Sequence, residues 1–289
     1  MHSAVSFAAL WMTSDSADLP ARHGGTGARL GKPTDMNPSP LADHAALVTG
    51  SSQGIGFAAA TALRDAGAKV IFHGLPARPE NIPSDSSYLS HDLMQPDAPA
   101  RLIAEAFAAQ PGLDTLVCNA GSFFDAPFLE MTRERWDRTL QLNLSATYFI
   151  AQEFAKRLVA EKRGGSICIT TSTNGLQAEA DSTAYDSSKG ALVMLIRTLA
   201  VSLGEHGIRV NGIAPGLIRT PLTAAWMEGR ADSASLLEHY RRKVLLRRIG
   251  TPEDCAGAVV FLCSPAAGYI TGEIITIDGG LTVVQIGRQ

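Results

Sequence analysis

Thr49-Gly50-Ser51-Ser52-Gln53-Gly54-Ile55-Gly56 follows the apolar run Ala45-Ala46-Leu47-Val48 and precedes an alanine-rich stretch that reads as a helix to about Ala66. A strand, a glycine turn and a helix in that order form a crossover in which each glycine has a task. Gly50 allows the tight turn, Gly54 lets the backbone approach a pyrophosphate, and Gly56 lets helix and strand pack closely. The helix start supplies unpaired N–H groups and a partial positive charge for such a group. Gly50, Ser52, Gln53, Gly54, Ile55 and Gly56 are therefore candidate contacts to a dinucleotide.

Downstream the pattern of one strand and one helix repeats. Lys69 to His73 reads as a second strand, Tyr88 to His91 as a third, and Asp97 to Ala109 as a helix. The end of the second strand commonly carries an acid for a ribose 2′-OH or an arginine for a 2′-phosphate. Here it is His73-Gly74-Leu75, and Gln53 in the glycine loop is also uncharged. Arg78 could swing in from the next loop, but the balance tilts to NAD over NADP. Asp92, beside Leu93, is placed to reach an adenine edge, although a strand-end Asp also serves as a turn former. Thr115 to Cys118 is a fourth strand, and Asn119-Ala120-Gly121 after it leaves room for a cofactor. Helical spacing then runs from about Thr132 to Glu161 and encloses Asn143, an amide that needs partners as a core group or in a water chain.

Gly165 to Thr170 is a fifth strand, with Thr171-Ser172 at its carboxyl end, where open parallel sheets bind ligands. Tyr185-Asp186-Ser187-Ser188-Lys189 follows in a helix reaching about Leu203. A four-residue helical step places the phenol and the ammonium on one face, about 6 Å apart along the axis. At an effective dielectric near 20, a cation about 5 Å away favours the phenolate by about 3 kcal/mol, or about two pKa units. That predicts a phenol able to trade protons with an alcohol or ketone near neutral pH. Arg209 to Ala214 is a sixth strand ending in Pro215-Gly216, and Ile218 and Thr220 follow. About 221 to 248 reads as a helical, mixed-charge lid, Pro252 to Cys263 as a last helix, and Ile274 to Ile277 as a seventh strand. The alternation predicts an α/β protein: a doubly wound parallel sheet of about seven strands with helices on both faces.

Composition agrees with one large α/β domain over 41–289, because 289 residues at 45% hydrophobic and 18% charged can fill a sizeable core. A net charge of -3 gives no basic surface for nucleic acid or an anionic membrane. No apolar run approaches a membrane span. The four cysteines have no metal-ligand spacing and read as reduced thiols, which places the protein in the cytoplasm. Residues 1–40, rich in Gly, Pro, Ser and Thr, predict a flexible extension, with Met36 as an alternative translation start.

Taken in order, Thr49 to Gly56, Asp92, Asn119 to Gly121, Asn143, Ser172, Tyr185-x-x-x-Lys189, Arg209 to Gly216 and Asp278-Gly279-Gly280 resemble the short-chain dehydrogenase/reductase family from about Leu41 onward. Cys118 and Thr171 are small departures from its pattern. The resemblance implies a Rossmann-like fold binding NAD(H) or NADP(H), and roles for each motif. Tyr185 is the general acid/base and Ser172 orients the substrate oxygen. Lys189 lowers the Tyr pKa and bonds the nicotinamide ribose, and Asn143 holds a water behind it. Pro215, Gly216, Ile218 and Thr220 are cofactor contacts. The family also implies a homotetramer or dimer. The expected activity is interconversion of a secondary alcohol and a ketone, with Gln177, Glu179 and Asp181 suggesting a sugar or polyol. A 3-oxoacyl thioester, met by Arg241, Arg242 and Arg247, is the second substrate reading. A non-catalytic dinucleotide-binding regulator is the reading from another class.

Overall fold

The computed structural model describes residues 39–75, 77–227 and 232–283. The expected flexible extension and the Met36 start therefore lie outside the described residues, apart from Ser39 and Pro40. Seven strands form one all-parallel sheet among the described residues: β1 (Ala45–Val48), β2 (Lys69–Gly74), β3 (Ser87–Ser90), β4 (Leu113–Cys118), β5 (Gly165–Thr170), β6 (Ile208–Pro215) and β7 (Ile274–Ile277). Their spatial order is β3-β2-β1-β4-β5-β6-β7. The order reverses between β1 and β4, and a crevice opens there at the strand C-termini.

Parity along the strands builds two cores. Ala45 and Leu47 of β1, with Leu116 of β4 and Ile167 and Ile169 of β5, face one side. They pack there with α2 (Ala98–Ala109), α4 (Ala146–Ala160) and α5 (Thr183–Leu203). Ala46 and Val48, with Phe72, Val117 and Cys168, face the other side. Their partners are α1 (Gly54–Asp65) and α8 (Pro252–Cys263). Each fully buried Leu or Val contributes about 1.5–3 kcal/mol, so these runs fix the register by which face each residue meets.

The stretch read as one helix from Thr132 to Glu161 is divided. α3 (Arg133–Leu140) passes through a π turn at Gln141–Ser145 before α4 begins. The turn lets the Asn143 amide point sideways and bond three groups, a compensation for the locally poorer helix. The stretch after Pro221 likewise divides, into α6 (Pro221–Met227) and α7 (Ser233–Lys243). No described helix is long and apolar enough to cross a membrane.

Candidate active site

Gly50 and Gly54 adopt φ of +63° and +59°, the left-handed region open to glycine. A Cβ on Gly50 would meet the Ala120 backbone at 2.7 Å, and one on Gly56 would meet the Gly50 carbonyl oxygen at 2.3 Å. Asn119 Nδ2 donates to the Thr49 and Gly50 carbonyls at 3.2 and 3.1 Å, tying the β1 and β4 ends together. The N-terminus of α1 has no acidic residue in its first turn and no side-chain cap, so its free N–H groups face the crevice. This cradle fits a dinucleotide pyrophosphate: backbone donors, no carboxylate, and contacts that a side chain would obstruct.

The cleft continues along the sheet edge. Its glycine end is walled by Gly50, Ser52, Gln53, Gly54 and Ile55. Asp92 and Leu93 flank one side, Asn119, Ala120 and Gly121 the floor, and Pro215, Gly216, Ile218 and Thr220 the far rim. Gly56 and Asn143 lie behind this wall. Asp92 accepts from Met94 N at 2.9 Å and Gln95 Nε2 at 3.2 Å, so its carboxylate also shapes its own turn. Arg78 does not swing into the cleft. Its guanidinium donates to the Ser86 carbonyl at 2.9 Å and to the Pro83 carbonyl, and stays in its own loop.

A second cavity of about 1210 Å³ joins the first, and Ser172 and Tyr185 belong to both walls. Ser172 leaves β5 in extended conformation, accepts the Asn174 amide at 3.1 Å and donates to Asn174 Oδ1 at 3.4 Å, beside the Tyr185 phenol. Lys189 is 4% exposed, donates to the Thr170 carbonyl at 3.0 Å, and sits 5.4 Å from the Tyr185 ring centre. Burial lowers its amine to about 8. Asn143 donates to the Ser122 carbonyl at 2.9 Å and to Ser188 Oγ at 3.0 Å, and its oxygen accepts the Ser122 amide at 2.9 Å. Its side chain thus bonds the Ser122 backbone and the Ser188 hydroxyl, one residue before Lys189.

One expectation about the phenol changes. At the Tyr185 phenol burial outweighs the neighbouring ammonium. Burial pushes the phenol up to about 12, with Asp125, Asp186 and Glu179 adding to the rise and the Ser172 bond opposing it. The residue is partly buried and lines both cavities. Asp125 is a residue that sequence reasoning missed. Ser182 provides no side-chain cap for α5. Asp125 instead accepts the Tyr185 amide at 3.3 Å and the Ser182 hydroxyl at 3.0 Å, from sixty residues upstream. Asn174 was also missed. Its amide group bridges Glu179 Oε2 at 3.1 Å and Asp186 Oδ1 at 2.8 Å, and Glu179 in turn accepts the Tyr240 hydroxyl from α7.

A phosphate cradle on a parallel sheet, opening beside a Ser-Tyr-Lys set at the rim of a second cavity, defines a nicotinamide-dinucleotide-dependent oxidoreductase acting on CH–OH groups. The family model described as enoyl-(acyl carrier protein) reductase matches residues 50–282. The human dehydrogenase/reductase SDR family member 4 is 36% identical over 254 residues, covering 83% of this chain and 88% of that protein. The L-rhamnose 1-dehydrogenase (NAD(P)(+)) of Azotobacter vinelandii is 35% identical, covering 84% and 98%. The structure of Thermoplasma acidophilum aldohexose dehydrogenase superposes with a TM-score of 0.79 at 28% identity, over 88% of this chain and 100% of that one. The chain belongs to the short-chain dehydrogenase/reductase family.

Proposed function

We propose that the chain interconverts a hydroxyl and a carbonyl on a sugar or polyol, using NAD(H). The observation that carries the substrate class is the wall of the second cavity. Asn174, Gln177, Glu179 and Asp125 line it together with Tyr185, Leu217 and Phe123, whose ring meets the Tyr185 ring edge-on at 5.9 Å. Carboxylates and amides accept and donate to several hydroxyls, while an aromatic face suits the C–H face of a sugar ring. Two of the similar proteins above are named as sugar dehydrogenases. The acyl reading is the second one: Arg241 and Arg242 pair with Glu238, Arg247 donates to the Arg242 carbonyl and none of the three lines the cavity, so Arg135, Arg138 and Lys243, which do, would have to meet an acidic carrier.

In this reading a bound nicotinamide supplies or accepts the hydride. Ser172 and Tyr185 hold the reacting oxygen, and the protonated phenol donates to a carbonyl as it becomes an alcohol. Asn174 N–H donates to Ser172 Oγ at 3.1 Å, and the serine hydroxyl donates to Asn174 Oδ1 at a long 3.4 Å, a bond it exchanges for one to the reacting oxygen. Lys189 presents positive charge beneath the phenol when the proton has left. Asn143 supports Lys189 from behind and fixes the Ser122 backbone.

The adenosine end supports NAD. Asp92 is the charged residue lining that end among the described residues, and no cation there faces a 2′-phosphate. A side chain at Gly74 would meet the Tyr88 hydroxyl at 2.6 Å and Ser52 Oγ at 3.0 Å, which leaves no room for an acid or an arginine. The helices around 221–248 act as a substrate lid on one domain spanning 41–289. Exposed Tyr148 and Phe149 of α4 and Met194 and Val201 of α5 support a homo-oligomer, a tetramer or dimer. Four buried free thiols fit a reducing cytoplasm.

The test is a pair of fluorescence titrations with NADH and NADPH, then turnover on a panel of aldoses, aldonates, polyols and an acetoacetyl thioester. Tighter NADH and turnover confined to the sugars and polyols is the expected result. Turnover on the thioester alone overturns the substrate class. Full activity in Tyr185→Phe overturns the mechanism, and NADH binding without turnover anywhere on the panel favours the regulator.

A further inference from the structure

His73 is the penultimate residue of β2, 2% exposed, and lies under the first turn of the glycine loop. Its backbone and side chain both hold that turn. The Ser51 amide donates to the His73 carbonyl at 2.7 Å, the His73 amide donates to Ser51 Oγ at 2.9 Å, and the Gly50 amide donates to His73 Nδ1 at 3.2 Å. The Gly50 bond sets the ring's state. Nδ1 must be the bare nitrogen, so a neutral ring carries its proton on Nε2, which has no other partner. Against the ring lies His91, nearly parallel, with centroids 6.2 Å apart, and His91 Nε2 is 3.3 Å from Glu105 Oε1.

We propose that His73 is a positioning residue for dinucleotide binding: as a neutral acceptor it fixes the Gly50 amide, and with it the turn that receives the pyrophosphate. The inference rests on the dinucleotide reading of the cleft. Gly50 sits at φ +63° and is gripped on its other side, where Asn119 Nδ2 holds its carbonyl at 3.1 Å. Without His73 the carbonyl stays held and the amide does not. A glycine released on one side regains much of its backbone freedom, which binding must then remove. A protonated ring would instead set N–H against N–H. Burial and the neighbouring His91 oppose that state and lower His73 to about 4. Glu105, from α2, lies against His91, on the far ring of the pair from Gly50.

The test compares His73→Leu, which keeps apolar volume and removes the acceptor, with His73→Asn, whose amide oxygen lies near the former Nδ1. Two readouts are taken: NADH affinity by fluorescence, and hydrogen exchange of the Gly50 amide in the ligand-free, isotope-labelled protein. The leucine variant is expected to bind NADH about tenfold more weakly and to exchange Gly50 faster, with the asparagine variant restoring most of both. Equal loss in the two variants would mean that His73 only fills space, and an unchanged leucine variant would remove the clamp. If Gly50 exchange depends on His73 while wild-type protein binds neither NADH nor NADPH, the dinucleotide reading fails and this proposal with it. Should the leucine variant not fold, NAD+ affinity of the wild-type protein carries the test. It should stay flat from about pH 8 to about pH 5 and fall toward pH 4, whereas a fall near the ordinary histidine value refutes the neutral acceptor.

Discussion

Lys189→Met separates what the buried ammonium does for catalysis from what it does for stability. Its amine moves from 10.5 to about 8 through burial alone. At about 1.4 kcal/mol per pKa unit, holding that charge inside costs the fold on the order of 3 kcal/mol. The sign follows from proton counting. Between the two pKa values the unfolded chain binds more protons, so the cost is present in full below about 8 and is relieved as pH rises toward 10.5. A methionine of similar shape should therefore leave the melting temperature at neutral pH unchanged or higher. Catalysis should move the other way. At 5.4 Å from the ring centre and an effective dielectric near 20, the ammonium favours a phenolate by about 3 kcal/mol. Its loss predicts about a hundredfold slower alcohol oxidation near pH 7. Because wild-type Lys189 itself loses charge above about 8, the ratio of wild-type to variant rates should shrink as pH climbs past that value. Steady-state oxidation across pH, with thermal melts alongside, measures both effects. A rate ratio that is constant with pH, or a variant that melts lower at pH 7, refutes the reasoning.

Four further substitutions probe the surroundings. Asp125→Asn removes a carboxylate that raises the Tyr185 phenol, so the alkaline limb of the oxidation profile should move down by up to about one unit; an unmoved limb would show that Asp125 acts only as the cap of α5. Gly56→Ala places a carbon 2.3 Å from the Gly50 oxygen and 2.4 Å from Asn119 Nδ2, and should cost about 1–3 kcal/mol in denaturant titration as well as NADH affinity. Gly257→Ala, in mid-α8 with nothing within 4 Å, should instead stabilise by about 0.5–1 kcal/mol, and a loss there would contradict the open space around it. Tyr240→Phe deletes the bond from α7 to Glu179 and should raise the substrate KM about fivefold, an effect of about 1 kcal/mol; an unchanged KM would uncouple that helix from substrate binding.

What the chain declares locally, the fold repeats. Gly165–Thr170 and Ile274–Ile277 were readable to the residue and the helix at about Pro252–Cys263 closely, because buried parallel strands are short apolar runs and α8 opens on Thr251 and Pro252. The glycine loop was readable because its conformations exclude other residues. What escaped depends on contacts between distant segments. Periodicity carried the helix straight through Asn143, since the bonds to Ser122 and Ser188 that favour the π turn come from other elements. The cap of α5 escaped because Asp125 lies in the loop after β4. His73 looked only like a missing acid or arginine until the fold put Gly50 above its ring.

The phenol shows why a motif identifies a site without setting its resting state. Four residues of spacing bring Lys189 beneath Tyr185, its ammonium 5.4 Å from the ring centre, close to the step of about 6 Å that helix geometry gives. The protonation state follows from the remainder of the environment. The cavity wall carries Asp125, Glu134, Glu179 and Asp181 beside Arg135, Arg138 and Lys243, a polar lining that suits a substrate with many hydroxyls, and Asp125, Asp186 and Glu179 in particular disfavour a phenolate at Tyr185. One set of side chains therefore performs two tasks that pull on the same group. With the phenol near 12, the substrate-free site holds its proton ready to donate to a carbonyl. Oxidation requires that proton to leave, and the carboxylates oppose this until a substrate's hydroxyls engage them and their charge is shared. The wall that selects the substrate is thus also the brake on the empty site, and occupancy by a polyol should lower the phenol where an apolar alcohol of similar size leaves it high.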